Sequence, residues 1–355
     1  MKKRRLNYID MAKGLGIIMV TYGHITDVGN PIDVWMSTFK ITIFFIISGY
    51  MVNLLNSYKN ISFVDYVKKI FGSIMVPYFS FSILGTAFRF LLFLAKDQDN
   101  YKDFLADYVY STLTLRGATT LWFLPCLFLG LTLLYVVLKK KNKYVIGLTL
   151  IWPLIAAYGA SLLLGYMEQN LSKFYFILLS YPLLTVAKAI VAVWFLLIGY
   201  FSYSILSKLQ GKYYRFGLGV LLSLITIYLS RFTSGIDFNN MALGNIPFLF
   251  YMLGITGSIG AILVFEFLEH YFKLELFTYF GKNSLILMAT QRIFCVINVA
   301  YAGWDKVAHM EPTLNFRYYF DCLAILIIVL LMEYTIIEFI NSRAPRIMGR
   351  RPTGL

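Results

Sequence analysis

The chain has 355 residues, 59% of them hydrophobic and only 14% charged, with a mean hydropathy of +0.69. That balance excludes a soluble globular protein, whose surface needs far more charge to stay in water. The net charge of +14 does not indicate nucleic acid either. The basic residues fall in short runs between apolar segments, as in loops that face anionic lipid.

Taken in chain order, Lys2-Lys3-Arg4-Arg5 before an apolar run has the outline of a signal peptide. It lacks a small-residue cleavage site and further apolar segments come after it, so it reads as a retained first helix. About ten segments are long enough to cross a bilayer, which takes about 20 apolar residues each. They lie near 9–28, 36–57, 70–94, 118–138, 144–167, 185–207, 215–232, 244–268, 276–299 and 317–341. Phe174 to Leu184 is apolar but broken by Pro182, which leaves a re-entrant or interfacial piece open before the sixth span. The expected fold is all-α: a polytopic membrane protein with a single transmembrane domain over 1–355. Its basic flanks are residues 1–8 and 342–355. No internal repeat is visible, so an inverted-repeat transporter has no support. Cys126, Cys295 and Cys322 fall within spans, without CxxC spacing or paired histidines. They read as packing thiols, and no metal site is expected.

Loop charge sets the expected topology. One side carries Lys2 to Arg5, Lys59, Lys68, Lys69, Lys139 to Lys141, Lys143, Lys208, Lys212, Arg215, Lys273, Arg343, Arg346, Arg350 and Arg351. The other side carries only Lys96, Lys102, Arg116, Lys173, Lys306 and Arg317. The bias places both termini in the cytoplasm. The longest outer loop, about 95–117, holds Asp97, Asp99, Asp103 and Asp107.

The first segment carries the sharpest chemical signal. Lys13 and His24 are eleven residues apart, which at about 100° per residue returns to within roughly 20° of one helix face, about 16 Å further along the axis. Asp10 lies one turn before Lys13 on the same stripe. Such groups on a membrane helix are costly unless they line a polar cavity. Lys13 would lie in the cytoplasmic leaflet and His24 past the midplane.

Several segments in order resemble the acyltransferase 3 family of integral membrane acyltransferases. The first span, with Asp10, Lys13 and His24, is similar to the family signature of a basic residue eleven positions before a histidine. Phe44-Phe45-Ile46-Ile47-Ser48-Gly49-Tyr50 resembles the aromatic run that ends the second span. Val76-Pro77-Tyr78 and Leu121-Trp122-Phe123-Leu124-Pro125 resemble the openings of the third and fourth. Asp237-Phe238-Asn239-Asn240-Met241 and Gly281-Lys282-Asn283-Ser284-Leu285 match later landmarks, so the similarity spans about residues 6 to 340. The chain departs from the pattern at Lys40 and at Gln291-Arg292, each standing where the family has a histidine. The second basic residue that commonly comes after Lys68-Lys69 is replaced by Gly72-Ser73.

The resemblance implies transfer of an acyl group, most simply acetyl, from cytoplasmic acyl-CoA to a hydroxyl of an extracytoplasmic or lipid-linked glycan. The expected location is the bacterial cytoplasmic membrane. Acyl-CoA is then a donor substrate and no permanently bound cofactor is implied. The partners are membrane lipid, the donor and the glycan, with a homo-oligomer left open. His24 is the expected base, Lys13 the donor-binding cation and Asp10 its orienting partner through an i,i+3 pair. Lys68, Lys69, Lys212 and Arg215 are further expected ligands for the coenzyme phosphates. Lys40, Asp237, Asn240, Gln291, Arg292 and Glu333 are expected at the acceptor or in the cavity wall.

Each of these residues also has a plainer reading. A lone intramembrane histidine often only bridges helices. Lys13 can snorkel to headgroups, and Asp10 suits a helix start. Ser48-Gly49-Tyr50 reads as a close helix contact rather than a nucleophile. Trp122 and Pro125 suit an interface, and Asp237 and Asn240 suit loop capping. Glu338 lies five residues from Glu333, on another face and near the inner headgroups. A proton-coupled transporter using Lys13, His24 and Glu333, or a non-catalytic sensor of the same fold, are the competing function classes. A carrier would not cleave acetyl-CoA, and a sensor would tolerate His24→Ala.

Overall fold

The computed structural model describes residues 6–26, 29–95, 101–309 and 314–349. The expected charges at Lys2 to Arg5, Lys96, Asp97, Asp99, Arg350 and Arg351 lie outside the described residues.

The described chain is almost wholly helical. It begins with α1 (Asn7–Tyr22), α2 (Pro31–Ser37), α3 (Thr42–Leu54) and α4 (Phe63–Ile70). A π-helical turn, Phe71–Met75, joins α4 to α5 (Val76–Ala95). Next come α6 (Tyr101–Leu113), α7 (Phe123–Lys140), α8 (Lys143–Asn170), α9 (Lys173–Leu206) and α10 (Lys212–Leu229). A two-residue antiparallel ladder pairs β1 (Ile236–Asp237) with β2 (Ala242–Leu243), Ile236 opposite Leu243. The chain closes with α11 (Pro247–Leu268), α12 (Glu275–Lys282), α13 (Ser284–Ile293), α14 (Val296–Ala308) and α15 (Phe316–Arg343).

Eight helical segments among the described residues are long and apolar enough to cross a membrane. The pair α13 and α14, bent by 63°, makes a ninth if counted as one span. The chain is a multi-pass membrane protein. Three of the ten expected spans differ in detail. The first is only 16 residues of helix, about 24 Å at 1.5 Å per residue, short of a hydrocarbon core of about 30 Å. It stops where Gly23 and His24 turn out of the helix. The expected ninth span divides among α12, α13 and α14, with Asn283 between the first two and Cys295 in left-handed backbone before the third.

The third difference concerns Pro182. Residues 174–184 continue the helix, and α9 runs unbroken for 34 residues. Proline lacks the N–H that would bond the carbonyl four residues earlier. That carbonyl, Leu178 O, instead accepts a hydrogen bond from the Tyr110 hydroxyl at 2.6 Å. A side chain from α6 supplies the missing donor, so no re-entrant break is needed.

Two glycine crossings hold the functional helices. α3 packs most extensively against α9, and α1 against α12. A Cβ at Gly49 would collide with the carbonyl of Leu196, and one at Gly199 with that of Ile46. A Cβ at Gly281 would collide with the carbonyl of Asp10, and one at Gly14 with that of Phe277. The backbones therefore touch, as small residues allow between membrane helices. Gly49 takes the close-contact role that its Ser-Gly-Tyr setting predicts. α8 and α10 sit outside this core and turn most of their surface outward, where Leu148, Ile151, Trp152 and Leu224 are exposed.

Candidate active site

A cavity of about 930 Å³ runs beside α1. Asp10, Lys13, Ile17, Val20 and His24 all line it, so the predicted polar stripe of the first segment faces one space. The cavity has two ends with different chemistry.

At the Lys13 end, Asp10 and Lys13 are joined by Lys69 from α4, Gly72 and Ser73 from the π-helical turn, and Lys282 from the end of α12. Lys282 arrives because neighbouring Gly281 lies flush against the Asp10 carbonyl. Met348 and Gly349, after the last helix, complete the wall. Three lysines thus share this end with one lining carboxylate, Asp10.

At the other end, His24 is exposed although protein surrounds it, because the surface it shows is cavity surface. Lys40 and Arg292 are the cations whose fields reach its ring. Lys40 Nζ bonds Asp33 Oδ1 at 3.0 Å. This pair presses on Gly23, where a Cβ would meet both side chains. Asp33 is presented by α2, whose start is capped by Asn30 Oδ1 accepting from the backbone N–H of Ile32 and Asp33. The histidine position that Lys40 occupies is therefore filled by one half of an ion pair. Arg292 lies in the last turn of α13, and its backbone carbonyl accepts from the Arg89 guanidinium at 3.1 Å.

The loop after β1 closes this end. Asp237 Oδ1 accepts from the Asn239 backbone N–H at 3.0 Å, and its Oδ2 from Asn240 Nδ2 at 2.7 Å. Asn240 Oδ1 in turn accepts from Arg116 at 2.7 Å. Asn239 Oδ1 accepts from Arg116 and from Lys188 Nζ, the latter at 3.3 Å. Asp237 and Asn239 line the cavity, whereas Asn240 stands behind them.

The remaining predicted residues divide by position. Gln291 and Glu333 are fully buried beside the cavity rather than in its wall. Thr21 Oγ1 donates to Gln291 Oε1 at 2.7 Å, and Thr290 Oγ1 to Glu333 Oε2 at 2.6 Å. These bonds tie α1 to α13 and α13 to α15. Lys68, Lys212 and Arg215 do not line the cavity, so the structure does not gather the expected set of phosphate ligands there. Lys212 bonds the Tyr271 hydroxyl at 3.0 Å on the surface. Arg215 is spent on Glu266 and on the carbonyl of Leu206, strapping α10 to α11 and to the end of α9.

Sequence reasoning missed Lys188, Asp33, Lys282 and the structural use of Arg116 and Arg89. Lys188 stood inside a predicted apolar span, the same signal that singled out Lys13. Arg89 carried it as well, within the third span.

No curated protein and no solved structure matches the chain. A protein-family model, that of an acyltransferase domain, matches residues 6–332. The match covers the cavity from Asp10 to Arg292 and nearly the whole chain, and the protein belongs to the acyltransferase 3 family of membrane acyltransferases.

Proposed function

We propose that the protein transfers an acyl group, most simply acetyl, from cytoplasmic acyl-CoA to a hydroxyl of an extracytoplasmic or lipid-linked glycan, in the bacterial cytoplasmic membrane with both termini inside. One observation carries this reading: a single cavity holds a cluster of lysines at one end and His24 at the other. Lys13 stands on α1 and His24 in the turn just after its last residue, Tyr22, which lies about 13 Å along the axis from Lys13.

The Lys13 end suits the coenzyme. Lys13, Lys69 and Lys282 are compact point charges suited to phosphate groups. The pantetheine arm then runs along the Ile17 and Val20 wall and brings the thioester toward His24. Asp10 orients the lysine at the mouth. Lys68 and Lys212 contribute general positive charge on the cytoplasmic face, whereas Arg215 is held in its pair with Glu266.

At the far end, His24 takes the proton of the acceptor hydroxyl. The oxygen forms a bond to the thioester carbonyl carbon, whose π pair moves to the carbonyl oxygen. Collapse restores the carbonyl, breaks the C–S bond, and returns the proton to sulfur as free CoA thiol. Lys40, Asp237 and Arg292 surround the place where the acceptor enters. Asn240 holds Asp237, and Gln291 and Glu333 hold the helix that carries Arg292.

The test is the fate of the acyl group. Purified protein in lipid, given [acetyl-14C]acetyl-CoA and a membrane glycan extract, should release CoA thiol and place label in the extractable glycan. CoA release without labelled glycan would remove the acceptor assignment. Neither event, with acetyl-CoA left unbound, would remove the acyltransferase mechanism from this cavity.

A further inference from the structure

Beyond α15 the described chain folds back on the bundle. After Arg343 it bends at Ala344 into a short 3-10 turn, Pro345–Met348, which packs against α5. A segment outside the packed elements frays unless something ties it down. Here the tie is Met348, which is 6% exposed and joins the main hydrophobic core. Gly349 comes next in left-handed backbone, with φ +65°, and a Cβ there would collide with the carbonyl of Gly72. Met348 and Gly349 both line the Lys13 end of the cavity. They lie outside residues 6–332, so family membership gives them no role.

The turn lands on the π-helical turn Phe71–Met75. There the Val76 N–H reaches back five residues to the Phe71 carbonyl. The next bond in that register would run from residue 77 to the Gly72 carbonyl, but residue 77 is proline and has no N–H. The π-turn thus lacks one bond of its own ladder at the residue that Gly349 touches. Its winding also decides which face α4 shows to the cavity. A π-turn holds one residue more than an α-turn, so its loss would rotate α4 by about 100° relative to α5. That rotation would carry Lys69 off the cavity wall that it now lines.

We propose that residues 345–349 are a brace for the Lys13 end: they pack against the Gly72 carbonyl, keep the π-turn wound and so hold Lys69 in the cavity wall. Met348 anchors the brace in the core. Gly349 makes the contact, since a side chain there would meet the Gly72 carbonyl. Both act through Lys69 and are positioning residues. The inference rests on the acyl-transfer reading for the identity of the ligand at Lys69, and not for the brace itself.

Amide hydrogen exchange on the full chain in lipid nanodiscs tests the brace without any ligand. Gly349→Val, whose side chain has no room against Gly72, should speed exchange across residues 69–77 by about tenfold or more and leave α9 as in wild type. Equilibrium binding and thiol release read the consequence. Acetyl-CoA should bind about tenfold more weakly, the loss of one charged contact, with kcat near wild type. Met348→Ser should act alike, and Met348→Leu, an apolar anchor of similar size, should keep wild-type values in both readouts. Thermal unfolding identifies a variant that fails to fold, and Met348→Ser carries the test if Gly349→Val is one. Unchanged exchange across 69–77, or faster exchange with acetyl-CoA bound as tightly as before, would overturn the proposal. Faster exchange in the variants, with no acetyl-CoA bound even by wild type, would keep the brace and remove the acyl-transfer reading instead.

Discussion

The two ends of the cavity solve different problems with similar residues. At the Lys13 end, three lysines from α1, α4 and α12 surround one space with a single lining carboxylate. At the His24 end both signs of charge meet and several groups are held by side-chain bonds: Lys40 to Asp33, Asp237 to Asn239 and Asn240, and Lys188 to Asn239, with Arg292 also in the wall. Clustered lysines attract an anion without dictating its pose, whereas hydrogen-bonded networks fix directions. The contrast teaches a division of labour. On the proposed reading, one end would supply charge for holding a flexible phosphate-bearing donor, and the other orientation for the reaction.

The largest effect that sharpens this contrast is His24→Ala. It should lower turnover by about 10²–10⁴-fold, the usual worth of a positioned general base, while acetyl-CoA still binds. Steady-state thiol release with parallel equilibrium binding separates the two, and a variant that loses binding instead would place His24 at the wrong end. Next comes the Lys69→Ala, Lys282→Ala pair, expected to raise the donor KM by about tenfold or more, since hydrogen bonds to charged groups contribute about 1.5–3 kcal/mol. Its kcat should stay close to wild type, and a fall confined to kcat would break the comparison.

Gly281→Val strikes the junction rather than either end. Its side chain has no room against the Asp10 carbonyl, and overpacking of this kind costs about 1–3 kcal/mol. A lower thermal midpoint together with a weakened donor site is expected. An unchanged midpoint would contradict the close α1–α12 crossing. The smallest effect belongs to Lys212→Ala. Lys212 bonds only a surface tyrosine hydroxyl among its described hydrogen bonds, and its loss should change the donor KM by less than about twofold, as surface substitutions do. A change as large as that of the lysine pair would return Lys212 to the donor site.

Much of this was legible in the sequence because membrane helices expose their rules. The eleven-residue spacing pointed Lys13 and His24 to one side, and both line the cavity, although His24 does so from the turn after α1 rather than from the helix. Lys40, Asp237 and Arg292 were likewise conspicuous as polar groups near apolar spans, and they line it too. The lateral position of the loops was not legible. Lys212 and Arg215 were expected on the same basic side as Lys69, yet helix order in the bundle carries them elsewhere, and Lys68 lies about 100° round α4 from Lys69, off the cavity. Pro182 looked like a break because its rescue by Tyr110 comes from a helix about seventy residues earlier. Lys188 announced itself by type, but its partner Asn239 lies 51 residues further on, in a loop whose fold no local pattern specifies. Spacing within one helix is written locally, whereas contacts between helices depend on glycine crossings such as Gly49 with Gly199.

The central claim is that one cavity couples donor binding at Lys13 to proton removal at His24. The most direct test is a single-turnover experiment with acetyl-CoA prebound to protein in lipid, comparing wild type, Lys13→Ala and His24→Ala after addition of a membrane glycan extract. The account predicts that His24→Ala binds acetyl-CoA as wild type does but releases almost no thiol, and that Lys13→Ala loses binding. Thiol release from His24→Ala at the wild-type rate, or undiminished binding by Lys13→Ala, would contradict it.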